Sequence, residues 1–91
     1  MRTIETSTAF KRDLKRLARG SHRDFQAKLA EVLKLLVADQ TLPEANRDHP
    51  LTGPWKDFRD CHVKPDLVLI YQKAPAVLRL ARLGSHSELF G

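Results

Sequence analysis

The chain has few of the residues that cross-link or interrupt a fold: its 91 residues include one cysteine, one tryptophan, one tyrosine and four glycines. The lone cysteine, Cys61, excludes a framework of intramolecular disulfides. The sequence has neither a long apolar run nor a charged-then-apolar N-terminal segment, so nothing in it favours membrane insertion or export. We therefore expect a cytoplasmic protein that does not bind a membrane.

Length and net charge indicate the number of domains and the kind of partner. Ninety-one residues suffice for one modest hydrophobic core and are too few for two, so residues 1–91 are expected to form a single domain. Sixteen lysines and arginines against eleven acidic residues give a net charge of +5. That excess favours an acidic partner, which is either a nucleic acid or an acidic protein.

The N-terminal half predicts one strand and two helices. Residues 2–6 alternate weakly, as a short strand does. Apolar residues at helical spacing predict a basic amphipathic helix over Ala9–Arg19, with Ser7 as a candidate N-cap. A capping box over residues 21–24 precedes a second apolar stripe that extends towards Asp39. We expect these two helices to pack antiparallel.

The C-terminal half predicts an antiparallel meander. Strands are expected over Trp55–His62, Leu67–Gln72 and Val77–Leu83, with short turns between them. A polar loop containing two prolines precedes them, and the tail from His86 is expected to form one helical turn. The order β-α-α-β-β-β predicts an α+β domain, with two antiparallel helices packed on one small, mostly antiparallel sheet.

Three histidines and an aspartate in the second half can support ribonuclease chemistry without a metal. Such chemistry needs a base for a ribose 2′-hydroxyl, an acid for the departing 5′-oxygen and a cation for the charge on phosphorus. The candidate groups are His49, His62, Asp66 and His86, with Arg59 and Arg82 as candidate cations. These residues are also ordinary in a surface hairpin, and the pattern alone leaves both interpretations open.

Metal binding is another interpretation of the same residues, since Cys61 and three histidines are potential zinc ligands. Strand alternation points Cys61 and His62 to opposite faces of the sheet, and no short His/Cys pair has the usual ligand spacing. We therefore expect no metal site and no cofactor. Cys61 is expected to be a small core residue.

The basic face of the first helix has two interpretations. Its cations can follow a phosphate backbone, or they can simply be solvated. The candidate RNA contacts on it are Lys11, Arg12, Lys15 and Arg16. Among the aromatic residues, Trp55 and Phe58 are expected in the core, whereas Phe90 lies near the C-terminus with little core to join. Phe90 is therefore a candidate for stacking on a base.

A series of ordered motifs in the second half resembles the YafQ branch of the RelE/ParE toxin superfamily. The motifs are Asp48-His49-Pro50-Leu51, Gly53, Trp55-Lys56, Arg59-Asp60, His62-Val63, Pro65-Asp66, Leu69-Ile70-Tyr71, Gly84-Ser85-His86 and Leu89-Phe90-Gly91. Pro54, Asp57 and Phe58 depart from the family pattern. The N-terminal half is similar only in its pattern of elements.

The resemblance implies a RelE-like fold and a bacterial type II toxin, a ribosome-dependent endoribonuclease that cuts messenger RNA and is silenced by a cognate antitoxin. Position by position, the family's catalytic set falls on His49, His62, Asp66 and His86, and its base-contacting aromatic falls on Phe90. Within that set we expect Asp66 and His86 to transfer protons and the other two to orient groups or stabilise charge. The partners implied are ribosomal RNA, messenger RNA and the antitoxin, with a monomeric free toxin and a hetero-oligomeric complex.

A toxin of the ParE type is the main alternative, with the same fold but no catalysis and a protein target such as gyrase. The full His/His/Asp/His set disfavours it, because a pure binder has no need of those groups. A plain RNA-binding module without activity is a third possibility.

Overall fold

The structure, a computed structural model, describes residues 1–20 and 24–91. It contains three helices and five strands within those ranges. In chain order they are β1 (Thr3–Thr6), α1 (Thr8–Arg19), α2 (Phe25–Val37), β2 (His49–Pro50), β3 (Arg59–Lys64), β4 (Leu67–Lys73), β5 (Val77–Gly84) and α3 (His86–Phe90). Single 3₁₀ turns at Glu44–Asn46 and Gly53–Trp55 flank β2.

The strands form one sheet in the order β1-β5-β4-β3-β2. The β1 strand runs parallel to β5, and the other neighbouring pairs are antiparallel. The expected α+β class and mostly antiparallel sheet are therefore confirmed. The place of the first strand, which the sequence left open, is the edge beside β5. No helix in residues 1–20 and 24–91 combines the length and apolar character that crossing a bilayer requires.

The central strand β4 is buried on both faces, as its unbroken apolar run indicates. Leu67, Leu69 and Tyr71 face the core shared with the helices, while the alternating Val68 and Ile70 are buried on the other face. The helices contribute one apolar stripe each to the shared core. Its members are Phe10 and Leu17 from α1, and Phe25, Leu29, Val32 and Leu36 from α2. The site described below lies on the face of Ile70.

The termini of α1 follow the sequence signals, whereas Asp24 precedes α2 without a capping hydrogen bond from its side chain. Ser7 caps α1, because its Oγ accepts a hydrogen bond of 2.9 Å from the backbone N–H of Phe10. At the other end, the N–H of Gly20 donates to the carbonyl of Leu17 at 3.1 Å. The expected capping box falls mainly on residues 21–23, which lie outside the described residues.

The prediction that a strand runs from Trp55 to His62 is wrong in its first half. Gly53 adopts a φ of 67°, and Pro54 has no N–H to give to a ladder, so the chain turns there. The N–H of Phe58 then donates to the carbonyl of Trp55 at 2.8 Å, which closes the turn. Strand β3 begins only at Arg59.

The expected core positions of Trp55 and Phe58 are also wrong. Both side chains are half-buried, and neither belongs to the core cluster. They contact each other edge to face, with ring centroids 5.2 Å apart and an interplanar angle of 84°. The two rings stabilise the turn before β3 instead of the core.

A buried carboxylate, Asp13, connects α1 to β5. Its side chain accepts hydrogen bonds from the N–H of Leu83 at 2.9 Å and from Arg82 at 2.9 and 3.2 Å. Arg16 donates to it at 2.8 Å from the same helix. Burial raises the pKa of Asp13, but these hydrogen bonds outweigh burial and hold that pKa below its usual value.

We expect Asp13→Asn to destabilise the fold by roughly 2–3 kcal/mol, somewhat less than a fully buried ion pair would cost, because both arginines keep partial access to water. The carboxylate's contribution is present above the pKa that an aspartate has in the unfolded chain, and it is lost as the pH falls through the lowered native pKa. The stability difference between parent and variant should therefore shrink in acid. Urea unfolding at neutral and acidic pH measures both effects.

Glu5→Gln serves as the control, since Glu5 pairs with Arg79 on the exposed face of the edge strand. It should leave the urea midpoint nearly unchanged. An equal loss of stability in both variants would contradict the role assigned to Asp13.

Candidate active site

His49 reaches the sheet through the short strand β2. This strand pairs antiparallel with β3 and sets His49 opposite Asp60. The pairing continues where the N–H of Leu51 donates to the carbonyl of Phe58 at 2.9 Å. His49 Nε2 lies 3.0 Å from Asp60 Oδ1, so the register brings an imidazole against a carboxylate. His49 thus lies on the edge strand of the sheet.

Asp60 is the buried centre of the site, with 2% of its surface exposed. Burial raises the pKa of its carboxyl above the ordinary value, and the charges of three nearby histidines partly offset that rise. The three histidines are His49, His62 and His86. Histidines from β2, β3 and α3 therefore act electrostatically on one carboxylate, and His49 also contacts it.

His62 follows Asp60 on the same face of β3, because alternate residues of a strand share a face. Its Nδ1 lies 3.2 Å from the carbonyl oxygen of Pro65 in the turn that leads into β4. Asp66 is the next residue of this turn and is exposed. Asp66 therefore lies in the turn between β3 and β4, next to the residue whose carbonyl contacts His62.

His86 is the first residue of α3, which a complete capping box begins. The Oγ of Ser85 accepts from the N–H of Glu88, and Glu88 Oε1 accepts from the N–H of Ser85 at 2.8 Å. The rings of His86 and Phe90 lie 4.8 Å apart, one helical turn from each other. The capped turn therefore presents an imidazole and an aromatic ring together.

Gly84 leaves room at the end of β5 for the side chains of Arg16 and Glu88. A Cβ atom at this glycine would lie 3.1 Å from Arg16 Nη2 and 3.1 Å from Glu88 Oε1. Arg16 also pairs with Glu88 at 3.4 Å. Arg16, which bonds Asp13 within α1, thus also contacts α3, and the fold fixes the direction in which His86 leaves the sheet.

Two arginines expected to contact phosphate are engaged within the protein. Arg82 forms the bidentate pair with Asp13 described above. Arg59 Nε donates to Asp48 Oδ1 at 3.2 Å, and the hydroxyl of Tyr71 donates to the same oxygen. Burial alone would lower the pKa of Arg59, and its bonds to Asp48 and Tyr71 raise it overall.

The cations of α1 divide into two groups. Lys11, Arg12 and Lys15 are exposed. Arg16 instead bonds Asp13, Glu88 and the carbonyl of Leu83. Arg16 therefore links α1 to β5 and α3, a structural role that the run of basic residues around it did not predict.

Sequence reasoning missed two acidic residues that organise the site. Asp13 occurs three residues after Phe10 and four before Leu17, the spacing of a buried helix face, which is the signal that could have found it. Asp60 shares strand parity with His62, opposite to the buried Cys61. The position of Asp13 on the buried face of the helix, and of Asp60 on the same strand face as His62, were the available signals.

Cys61 is fully buried, which confirms its expected place in the core. Burial raises the pKa of its thiol to about 12, so the thiolate needed for nucleophilic attack is scarce at neutral pH. Among residues 1–20 and 24–91, no group of three or more histidine, cysteine, aspartate or glutamate side chains is arranged to hold a metal ion.

Comparison with known solved structures shows close relatives. The E. coli complex of the antitoxin DinJ with the toxin YafQ contains a chain 44% identical to this one, with a TM-score of 0.86, covering 99% of this chain and 98% of that chain. A metal-bound toxin from Helicobacter pylori is 49% identical, with a TM-score of 0.85, and covers 99% of this chain and 100% of that one.

The sequence comparisons agree. The mRNA interferase toxin YafQ of E. coli K12 is 44% identical over 91 residues, covering 99% of this chain and 97% of the relative. The model of the bacterial toxin YafQ of type II toxin–antitoxin systems matches residues 2–91. Because the family model matches residues 2–91 and the E. coli relative is 44% identical over nearly its whole length, the chain belongs to the YafQ family of type II toxins.

Proposed function

We propose that this toxin is an mRNA interferase that acts on the ribosome and cuts translated messenger RNA. The E. coli relative named mRNA interferase toxin supports the activity. The observation that carries the proposal is the contact of His49 with the buried carboxylate of Asp60, on the face of β3 that also holds His62. Imidazole and carboxylate groups are the side chains that general acid–base catalysis most often uses.

The reaction we propose begins with removal of the proton from a ribose 2′-hydroxyl. The 2′-oxygen then forms a bond to phosphorus, the bond from phosphorus to the 5′-oxygen breaks, and an acid protonates that departing oxygen. The products are a 2′,3′-cyclic phosphate and a 5′-hydroxyl. Asp66 and His86 carry out these two proton transfers, one as the base and the other as the acid. Both side chains are exposed and accessible to an RNA strand.

The remaining site residues would position the substrate and stabilise charge. Phe90 lies beside His86 and would stack on a base next to the scissile phosphate. His49 and His62 would stabilise the negative charge that develops on the phosphate oxygens. Because Arg59 and Arg82 are already paired with aspartates, they would contribute to the positive field around the site more than to a direct phosphate clamp.

The partners we propose follow from charge and from the relatives. Lys11, Arg12 and Lys15 form an exposed basic face that would contact ribosomal RNA away from the cut. A protein of the DinJ type would be the antitoxin, since the E. coli YafQ forms a complex with DinJ. The net charge of +5 favours an acidic surface on that partner. We propose that the free toxin is a monomer.

We expect His86→Ala and Asp66→Asn each to lower the single-turnover rate of messenger cleavage by roughly 10²- to 10⁴-fold, the usual loss when a positioned acid or base is removed. Expression of either variant should no longer arrest growth. Primer extension on a translated messenger measures the cuts directly.

The control for His86 is Ser87→Ala, which changes the next exposed residue of α3 and leaves the capping box in place. It should cut like the parent. Losses of tenfold or less for both His86→Ala and Asp66→Asn would show that other residues act as the acid and the base. Growth arrest by the parent without any cut would favour a ParE-type target.

Replacing Lys11, Arg12 and Lys15 with alanine should weaken ribosome binding without slowing cleavage at saturating ribosome. The slope of log affinity against log salt should flatten by roughly one unit for each phosphate that the variant no longer neutralises. Binding measured across a salt series, with cleavage followed in parallel, checks both statements.

Lys15→Ala and Lys34→Ala provide a matched comparison, since each removes one exposed lysine and the second lies on α2. Only the first should change the salt dependence. Arg16 is unsuitable for this test because its replacement would also break the hydrogen bonds with Asp13 and Glu88. If the triple variant binds the ribosome normally but cuts slowly, these three residues act in cleavage and not in binding, which would contradict the proposal.

The nucleophile we propose is the ribose 2′-hydroxyl, so a messenger with a 2′-deoxy or 2′-O-methyl sugar at the cut site should resist cleavage. The reaction should also tolerate a chelator, once the integrity of the ribosome is controlled separately. A metal-bound relative is known from H. pylori, so cleavage should be measured with and without added divalent metal. Cleavage of the 2′-deoxy messenger at the normal rate would refute the mechanism.

A further inference from the structure

The strand that carries His49 has little backbone pairing to hold it. β2 consists of His49 and Pro50 alone and lies at the edge of the sheet, where β3 is its neighbour. Pro50 has no N–H to donate to the ladder. The N–H of Leu51 extends the pairing by donating to the carbonyl of Phe58 at 2.9 Å. A segment with so few backbone hydrogen bonds opens easily unless side chains also hold it.

Asp48, the residue before β2, makes side-chain bonds of this kind. Its Oδ1 accepts hydrogen bonds from the hydroxyl of Tyr71 and, at 3.2 Å, from Nε of Arg59. Tyr71 is fully buried, and burial together with Asp48 raises the pKa of its hydroxyl, which therefore stays protonated and donates. Because Tyr71 belongs to the central strand β4, its bond to Asp48 reaches past β3 and joins the edge of the sheet to its middle.

These two bonds lie on the face of the sheet opposite to the candidate site. Residues paired across neighbouring strands share a face. His49 pairs with Asp60, on the face of the site. Arg59 pairs with Tyr71, which faces the core shared with the helices. The side chain of Asp48 bonds this second pair, so it lies on the helix side while the adjacent His49 points to the other side.

The ring of His49 is oriented by the same segment of chain. Its Nδ1 lies 2.8 Å from the carbonyl oxygen of Arg47, and its Nε2 lies 3.0 Å from Oδ1 of Asp60. Arg47 has a φ of 48°, so the chain turns sharply just before Asp48. A displacement of Asp48 would therefore move both His49 and the carbonyl that orients its ring.

We propose that Asp48 is a positioning residue for cleavage, whose hydrogen bonds to Tyr71 and Arg59 hold His49 in place from the opposite face of the sheet. The inference rests on the proposed function, in which His49 stabilises charge on the phosphate. A displacement of about 1 Å in a site can cost roughly a hundredfold in rate. Asp48 acts through its oxygen and not through its charge, because an acceptor is what the two donors require.

Asp48→Ala and Tyr71→Phe each remove the bond between these two side chains. We expect each to lower the single-turnover rate at saturating ribosome by roughly ten- to a hundredfold. Ribosome affinity should not change, since neither residue belongs to the basic face of α1. Asp48→Asn keeps an oxygen for both donors and should cut within about threefold of the parent. A loss in Asp48→Asn as large as in Asp48→Ala would show that the charge is needed and would contradict the proposal.

The double variant tests whether the two residues act through one bond. Asp48→Ala combined with Tyr71→Phe should cut no more slowly than Asp48→Ala alone, because the hydroxyl has already lost its partner. Losses that multiply would mean that the two side chains act separately. Asp57→Ala is the matched control, since it removes an exposed carboxylate from the turn before β3 and should cut like the parent.

A second measurement needs neither RNA nor ribosomes. The hydrogen exchange of the Leu51 N–H reports the opening of β2 from β3, and NMR measures it in the free toxin. In Tyr71→Phe this exchange should be roughly fivefold faster or more, as expected for the loss of one hydrogen bond. Unchanged exchange at Leu51 would overturn the proposal.

Leu33→Ala controls for a general loss of stability, because Leu33 packs against the core from α2. This variant should lower the urea midpoint but leave both the Leu51 exchange and the cleavage rate of the folded toxin unchanged. If the parent does not cut messenger RNA, the proposed function fails, while the exchange still decides whether Asp48 holds β2. Should Asp48→Ala not fold, Tyr71→Phe, which removes a single oxygen atom, decides the proposal.

Discussion

The hydrogen bonds to the buried carboxylate of Asp13 are the interaction on which the arrangement of the site depends. They join α1 to β5 through Arg82 and the N–H of Leu83, and Arg16 extends the network to Glu88 in α3. The face that carries the candidate active site lies on the other side of the sheet from the core helices. A helix that contributes no proposed catalytic group therefore still determines where His86 stands.

The site combines groups that are rigid for different reasons. His49 is placed by strand pairing, His62 by the alternation of β3, and His86 by a capped helical turn beside a crowded glycine. Each of these is a backbone constraint. The backbone therefore fixes the position of the Cα atom of each histidine, whatever contacts its side chain makes. Preorganisation of this kind lowers the cost of assembling charges around a phosphate.

Local patterns predicted the parts of the fold that local physics determines. The apolar run of β4, the cap at Ser7 and the helical turn after Ser85 were all readable, because each depends on neighbours in sequence. The start of β3 was misjudged because the turn chemistry of Gly53 and Pro54 outweighs the strand propensity of the aromatics.

The two central acids needed three-dimensional information. Asp13 and Arg82 are 69 residues apart, and no local period links them. Asp60 likewise becomes a site residue only when the register of β2 is known. The catalytic set that the resemblance implies contains the histidines but not Asp60, although Asp60 lies in one of the motifs. The sequence therefore predicted candidate site residues better than the contacts between them.

The pairing of β2 with β3 has a consequence for how the toxin can fail. Side chains alternate between the two faces of a sheet, so a slip of one residue in this pairing would turn His49 away from Asp60 and place either Pro50 or Asp48 opposite it. No intermediate alignment keeps part of the contact. Correct registration of this strand and the contact between His49 and Asp60 are therefore gained or lost together.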